Sequence, residues 1–489
     1  MFENFNGLED GFGQGTVGEL EELNKALGTG EQGDAYGSFN DMSALRPQSL
    51  EATLKVVTAT TDQIKFWRRI GKKQAFNTVE EFNVMDSMGG NSSPFFVEGG
   101  LPNEEDSHYL RQSQYVKFLG TTRVITHPAT LVRNTVGDIV ARETTNGTSW
   151  LLMQLEKALY FGNSALDPLS FDGVITQVKN FVAGKTYANQ HVIDMKGQPL
   201  DENTMEDASA IIADNFGRGK LELHLTNQVN KDLSKLVMGS SGRQRVMMGQ
   251  GQEIMLGQPI GGYMANAGPI EFVNNIFLKP QATVSSASAK GAPAVPTYPV
   301  GQVVAGSSGA TIPSGTYYYF VTAKNSAGES APVAMGSVAV TLGQTVTLTI
   351  NRVVGDPPAK SYKVYRGTKS TAADALFAFE IKDAGAEVTQ AIIDTNADIP
   401  GTHTAMALDN DSENVLSFKQ LAPLMKLPLA RISAAERFMI LLYGMIQVYN
   451  PRRIVVFKNI GTLGLNSNRE LFTPNYDAPS FGTVRPSLQ

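Results

Sequence analysis

Alternating apolar and polar positions carry the clearest signal between residues 74 and 126. Thr78-Val79-Glu80-Glu81-Phe82-Asn83-Val84 runs outward and Tyr115-Val116-Lys117-Phe118-Leu119 returns. Between them lies an acidic excursion containing Gly89-Gly90-Asn91 and Glu104-Glu105-Asp106. Two period-two runs joined by polar sequence predict a projecting β-hairpin. The period then changes. Val132, Val136, Ile139 and Val140, then Leu151, Leu152, Leu155, Ala158 and Leu159, keep helical spacing. Thr144-Thr145-Asn146-Gly147 is poor helix sequence, so this stretch reads as one long bent helix or two. Pro128 is placed to open the region, and Gly162 to close it as a left-handed cap.

Further along, Met205, Ala208, Ile211 and Ile212 share one face of a helix over 203–215. Leu221–Leu225 reads as a strand, followed by a helix with Thr226 as N-cap. Ser417–Leu429 leads into the apolar run Phe438–Ile446, and Ile454-Val455-Val456-Phe457 forms the last strong strand. A separate block spans 300–399. A Ser, Ala, Gly and Pro stretch from Ser285 to Pro293 announces it, a composition that buries no core and reads as a linker. Thr316–Ala323, Thr345–Ile350, Tyr362–Tyr365, Leu376–Phe379 and Gln390–Ile393 are short, β-branched and aromatic runs between turn residues. They predict an antiparallel sandwich inserted into an α+β body. Residues 1–60 are Gly-rich and acidic, a poorly periodic arm with a short helical stretch at Val17–Leu27, and mixed helix follows over Ser49–Gly71.

Composition narrows the picture. The 489 residues allow a large core and more than one domain. A net charge of -6 opposes wholesale nucleic-acid binding, which draws on clustered Lys and Arg. Zero cysteines exclude disulfides, thiolate catalysis and Cys-ligated zinc. Phe438–Ile446 is too short for a membrane helix, and Met1-Phe2-Glu3-Asn4-Phe5 lacks signal-peptide regions. The chain therefore reads as a soluble intracellular product without membrane association.

Candidate chemistry is sparse. Gly28-Thr29-Gly30-Glu31-Gln32-Gly33 has dinucleotide spacing without the strand before it or the helix after it. Gly184-Lys185-Thr186 lacks the earlier Gly of a phosphate loop, because Lys179 stands there. Asp409-Asn410-Asp411-Ser412-Glu413 alternates like a calcium loop, but Asn414 and Gln420 replace its Gly and closing Glu. His108, His127, His191, His224 and His403 are scattered, with no pair at metal-ligand spacing. No catalytic residue, cofactor or metal site is assigned. The best binding signal is basic and aromatic: Lys65, Phe66, Trp67, Arg68, Arg69, Lys72 and Lys73. Phosphate contact with stacking is one reading. Protein contact fits an acidic chain better, for instance with the tip residues Glu104, Glu105 and Asp106 of a neighbour.

The order of these parts resembles the Hong Kong 97-type fold of tailed-bacteriophage major capsid proteins. Asp138–Glu143 through Leu155–Asn163 resembles that family's long spine helix, followed by a loop like Pro168–Val174. The hairpin before it is similar to the family's extended loop, and 443–457 to its closing strands. The resemblance implies an N-terminal arm (1–73), an extended loop (74–126) and a peripheral domain with the spine (127–215). It implies an axial domain in two parts (216–294 and 402–433), an inserted domain (295–401) and closing peripheral strands (434–489). Tyr317–Ser330 and Tyr362–Gly367 resemble fibronectin type III strands, which makes the insert immunoglobulin-like.

By the same resemblance the chain is expected to be a virion shell protein, assembled in the host cytoplasm. It would form hexamers and pentamers around double-stranded DNA without sequence-specific binding, with a portal and separate scaffold or decoration proteins as partners. No scaffold-like coiled coil is legible at the N-terminus, and no crosslinking Lys and Asn pair is identified. The alternative is a tail, fibre or cell-surface component carrying the same module; a hydrolase with an appended sandwich is a third reading.

Overall fold

The computed structural model describes residues 61–90, 93–132, 138–217, 221–237, 261–279, 284, 287–299, 303–385, 388–430 and 433–462. The helical stretch expected at Val17–Leu27 lies outside these residues, as does most of the mixed helix expected over Ser49–Gly71. The part described there is a 3-10 turn at Thr61–Gln63 and one helical turn, α1 (Phe66–Arg69), which leads through Ile70 and Gly71 into strand β1 (Lys72–Gln74).

The hairpin is present, with a different return strand from the one expected. β2 (Val79–Ser87) pairs antiparallel with β3 (His108–Tyr115), Val79 opposite Tyr115. At Val116 the chain leaves this pair. Its N–H donates to Thr78 O at 2.9 Å, and its side chain is buried. β4 (Lys117–Thr126) then joins another sheet altogether. Tyr115–Leu119 thus straddles two strands, because the alternation continues across the switch and hides it.

A short helix α2 (His127–Leu131) begins next to Pro128. The spine is one helix, α3 (Ile139–Phe161), 23 residues or about 34 Å long. Leu151, Leu155, Leu159 and Tyr160 form its buried stripe. The helix runs through Thr144 and Thr145 because their hydroxyls bond back to Val140 O (2.7 Å) and Ala141 O (3.1 Å). Gly147 is buried where Ile440 and Arg123 approach; a Cβ there would lie 2.7 Å from the Ile440 side chain. Gly162 is not a left-handed cap, as its φ is not positive. It is required for close approach instead: a Cβ there would meet Phe171 O at 2.3 Å.

After the spine come α4 (Val174–Val182), α5 (Ala188–His191), β5 (Val192–Asp194) and α6 (Glu202–Asp214). Asp201 caps α6 in a reciprocal capping box with Thr204. β6 (Leu221–Leu225) precedes α7 (Asn227–Val237), where the Thr226 hydroxyl accepts the Val229 N–H as the sequence predicts. β7 (Gly262–Ala265) and β8 (Gly268–Asn274) follow.

The inserted block contains β9 (Val303–Ser308), β10 (Gly315–Lys324), β11 (Val333–Val340), β12 (Gln344–Asn351), β13 (Ser361–Gly367), β14 (Leu376–Lys382) and β15 (Thr389–Asp394). They form sheets of order β11-β10-β13-β14 and β15-β12-β9. Tyr317, Tyr319, Val321, Leu348, Ile350, Tyr362 and Ile392 fill the space between them.

The chain returns through β16 (His403–Asp409), β17 (Leu416–Pro428), β18 (Ala435–Val448) and β19 (Ile454–Ile460). One body sheet has order β1-β17-β18-β4, and the other β5-β19-β16-β6-β8-β7. These pairings cut across two expected boundaries. β17 and β18 form a continuous hairpin through 433/434, and β19 lies beside β16 rather than with β18. Strand pairing is non-local, and no residue pattern within either segment encodes it. The spine packs on the first of these sheets, where Gly147 meets Ile440.

The glycine at the end of the spine gives a test. Gly162→Ala should lower the unfolding free energy by about 1–3 kcal/mol through overpacking against backbone, read as an earlier urea midpoint with unchanged slope.

Candidate functional site

Glu156 is a charged residue on the apolar stripe of the spine, and it is fully buried. Its carboxylate accepts the backbone N–H groups of Lys65 (3.1 Å), Phe66 (2.7 Å) and Trp67 (2.9 Å). These are the otherwise unsatisfied donors of the first turn of α1. Asn275, at the end of β8, donates a fourth bond at 2.7 Å. Charge-assisted bonds of this kind replace the water the carboxylate has lost.

The network continues through polar side chains. Asn275 Nδ2 also donates to Tyr160 Oη at 3.1 Å, and that oxygen lies 2.7 Å from His224 Nδ1. His224 Nε2 lies 3.1 Å from Glu222 Oε2; a carboxylate only accepts, so the proton resides on Nε2. Glu222 also accepts from Asn410 (2.9 Å) and Arg69 (3.0 Å), and Arg69 reaches on to Glu271 at 2.5 Å. Phe66 stacks on Tyr160 with centroids 4.8 Å apart and meets His224 edge-on.

These contacts shift several titrations. Burial and the charge of Glu156 raise the Tyr160 hydroxyl well above its usual value. Burial pushes Glu222 up, but hydrogen bonds from His224 and Asn410 and the attraction of His224 and Arg69 outweigh it. The net result is about 2. Its bonds to two carboxylates raise Arg69.

The basic-aromatic cluster is therefore turned largely onto its own chain. Arg69 bridges Glu222 and Glu271, and Trp67 packs edge-on against Phe418. Lys72 donates to Trp67 O and lies 4.5 Å from the Trp67 ring centre, while Lys73 lies over Tyr449. Partial burial lowers Lys72. Arg68 stays at the surface beside Asp62. Glu104, Glu105 and Asp106 are exposed on the hairpin excursion, with Glu105 accepting the Gly90 N–H. Asp411, in the loop considered for calcium, accepts the Glu413 and Asn414 N–H groups in a local turn. Among the described residues, no group of three or more His, Asp or Glu gathers as a metal-binding set.

Sequence reasoning missed Glu156, Glu222, His224 and Asn275. Two signals were available. Glu156 interrupts the apolar stripe between Leu155 and Leu159, and Glu222 and His224 point to one side of the otherwise apolar Leu221–Leu225. It also missed the apolar character of the hairpin excursion. Met88, Phe95, Val97 and Leu101 are 80%, 88%, 77% and 94% exposed there, and Phe96 is exposed beside them. A run of large apolar side chains left uncovered among the described residues marks a contact surface.

No family model matches the chain. It is 23% identical over 463 residues to the major capsid protein of Staphylococcus phage S25-3, spanning 90% of this chain and 95% of the relative. The major capsid protein of Staphylococcus phage K gives the same identity and the same coverage. The chain is similar to phage major capsid proteins along nearly its whole length. Among solved structures, the capsid of an empty GTA particle covers 88% of the chain, and the chain 99% of it, with 10% identity and a TM-score of 0.47. The mature capsid of bacteriophage PhiM1 covers 89%, and the chain 97% of it, at 10% identity and a TM-score of 0.41.

Acid should weaken the fold in two steps. Burial, with Lys279 and Lys231 nearby, pushes His403 from 6.5 to about 4, so the folded state resists its protonation. Stability should be complete above pH 6.5 and decline toward pH 4. Glu222, depressed from 4.5 to about 2, adds stability that is present above pH 4.5 and fades toward pH 2. Urea midpoints measured against pH should show both, with His403→Asn flattening the upper step and Glu222→Gln the lower. At neutral pH, Glu156→Gln should cost about 2–4 kcal/mol, since an amide turns a donor toward backbone N–H groups in a buried site.

Proposed function

We propose that this chain is the major capsid protein of a tailed double-stranded DNA bacteriophage. The observation that carries the reading is its likeness to phage major capsid proteins along nearly the whole of both chains, 90% of this one and 95% of the relatives. The arrangement of elements supports a Hong Kong 97-type subunit: a projecting hairpin, a long spine on one sheet, and a second mixed sheet. Residues 1–73 are the arm, 74–126 the extended loop and 127–215 the peripheral domain. The insert 295–401 interrupts the axial part that begins at 216; beyond it, β16 and β19 complete the six-stranded sheet, while β17 and β18 complete the sheet under the spine.

Assembly rests on the hairpin. Burying one Phe or Leu side chain contributes about 1.5–3 kcal/mol, so the apolar excursion drives association once a neighbouring subunit covers it. Glu104, Glu105 and Asp106 beside it set orientation against basic side chains, for which Arg68 and Lys65 are the proposed counterparts. Repeating one such contact around closed rings builds hexamers and pentamers of an icosahedral or prolate head. The acidic balance of the chain, -6, leaves packaged DNA enclosed without specific attachment. The portal, and any separate scaffold or decoration protein, complete the particle. The sandwich, an immunoglobulin-like module, is displayed on the outer surface, where it does not compete with the genome for space.

Electron microscopy of the expressed protein should show shells, tubes or capsomers. Phe95→Ser with Phe96→Ser should leave the far-ultraviolet circular dichroism and the thermal transition unchanged while abolishing those particles. A folded subunit that stays monomeric under every assembly condition, alone and with phage partners, overturns the reading. Replacing residues 300–400 by a short Gly-Ser linker should leave shells intact and remove an external knob from their profile.

A further inference from the structure

The inserted sandwich leaves the body through residues 395–402, and that segment is gripped by one side chain. Asn459, on β19, is buried and sits at φ 56, in the left-handed region. Its Oδ1 accepts the Ile399 N–H at 2.8 Å, and its Nδ2 donates to Ala397 O at 2.9 Å. One side chain thus supplies both partners that a neighbouring strand would give the strap. The same Nδ2 donates to Asp194 Oδ1 at 2.9 Å, at the end of β5. Lys458 reinforces the point, with Nζ 3.1 Å from Ala397 O and 3.3 Å from Asp194 Oδ2. Thr402 folds the strap back through its hydroxyl to Ile399 O at 2.6 Å.

The other side of the insert is fastened too. The incoming segment lies along the sandwich: Val284 is buried against Phe320, Tyr365 and Ala375. Ala289 N–H donates to Glu329 O at 2.9 Å, and Ala331 N–H to Ser288 Oγ at 2.8 Å. Across the gap to the body, Ser326 Oγ donates to Asp167 Oδ1 at 2.9 Å, in the loop after the spine. A module on free linkers makes none of these bonds.

We propose that Asn459 is an orienting clasp, which holds the inserted sandwich at one angle to the body so that it does not swing on its linkers. Its conformation is unfavourable for most residues, and side-chain bonds to the strap and to β5 compensate for it. The isolated subunit is enough to examine the clasp, so the outcome is independent of shell assembly and of the functional reading above.

Asn459→Gly separates the two roles of the residue, because glycine accepts the left-handed backbone and removes only the bonds. On the full chain, hydrogen exchange of peptides covering 396–402 should accelerate at least ten-fold in this variant, with peptides from β10 to β15 as protected as in the parent. Since the chain has no cysteine, Gln154→Cys with Ala391→Cys places spin labels on the spine and on the sandwich alone. Their distance distribution should be narrow in the parent background and broad with Asn459→Gly. Unchanged exchange and an unchanged distribution overturn the proposal. Loss of protection throughout the sandwich overturns it as well, since Asn459 would then support the folding of the insert and not its angle.

Discussion

One buried carboxylate ties the body together. Glu156 gathers the first turn of α1, the spine and the end of β8 by accepting four hydrogen bonds while fully buried. Such a charge is expensive to bury and is tolerated only when nearly every lone pair is used. The requirement constrains everything around it. α1 must begin at residue 66, the spine must present Glu156 and Tyr160 in adjacent positions, and Asn275 must stand where β8 ends. Apolar packing alone would tolerate sliding of these elements by a residue or so; directional bonds do not.

The second half of the network extends this constraint into the six-stranded sheet. Through Tyr160, His224 and Glu222 the spine is coupled to β6, and through Arg69 and Asn410 to the end of α1 and the turn after β16. The elements joined in this way are α1, the spine, β6 and β8, with the turn after β16. Such a network makes a frame whose parts do not shift separately.

How much of this was legible in the sequence depends on whether the cause was local. Most strands of the insert declared themselves, though β9 and β11 did not: Tyr317, Tyr319 and Val321 fall at every second position, and Leu348 and Ile350 do the same on the facing sheet. The spine, the α6 helix and the Thr226 cap were also readable, from period and capping chemistry. What escaped was set by distant partners. Nothing near Glu156 says that the backbone of residues 65–67 will come to it, and nothing in 434–460 says that β18 and β19 will go to different sheets. The basic cluster misled for the same reason. Arg69 looked available until Glu222 and Glu271 arrived from elsewhere in the chain.

The switch at Val116 has a mechanical meaning. β1 and β4 belong to the spine sheet, while β2 and β3 pair only with each other, so both legs of the hairpin change sheets at its root: one across residues 75–78, the other at residue 116. No ladder of backbone bonds runs continuously from body to hairpin. Rotation about this two-legged root therefore leaves the β4–β18 register and the β2–β3 register untouched. The angle of the hairpin to the body is therefore set by side-chain contacts at its root, such as Glu80 with Lys419, Phe82 with Tyr449 and Gln114 with Gln177, and not by either ladder.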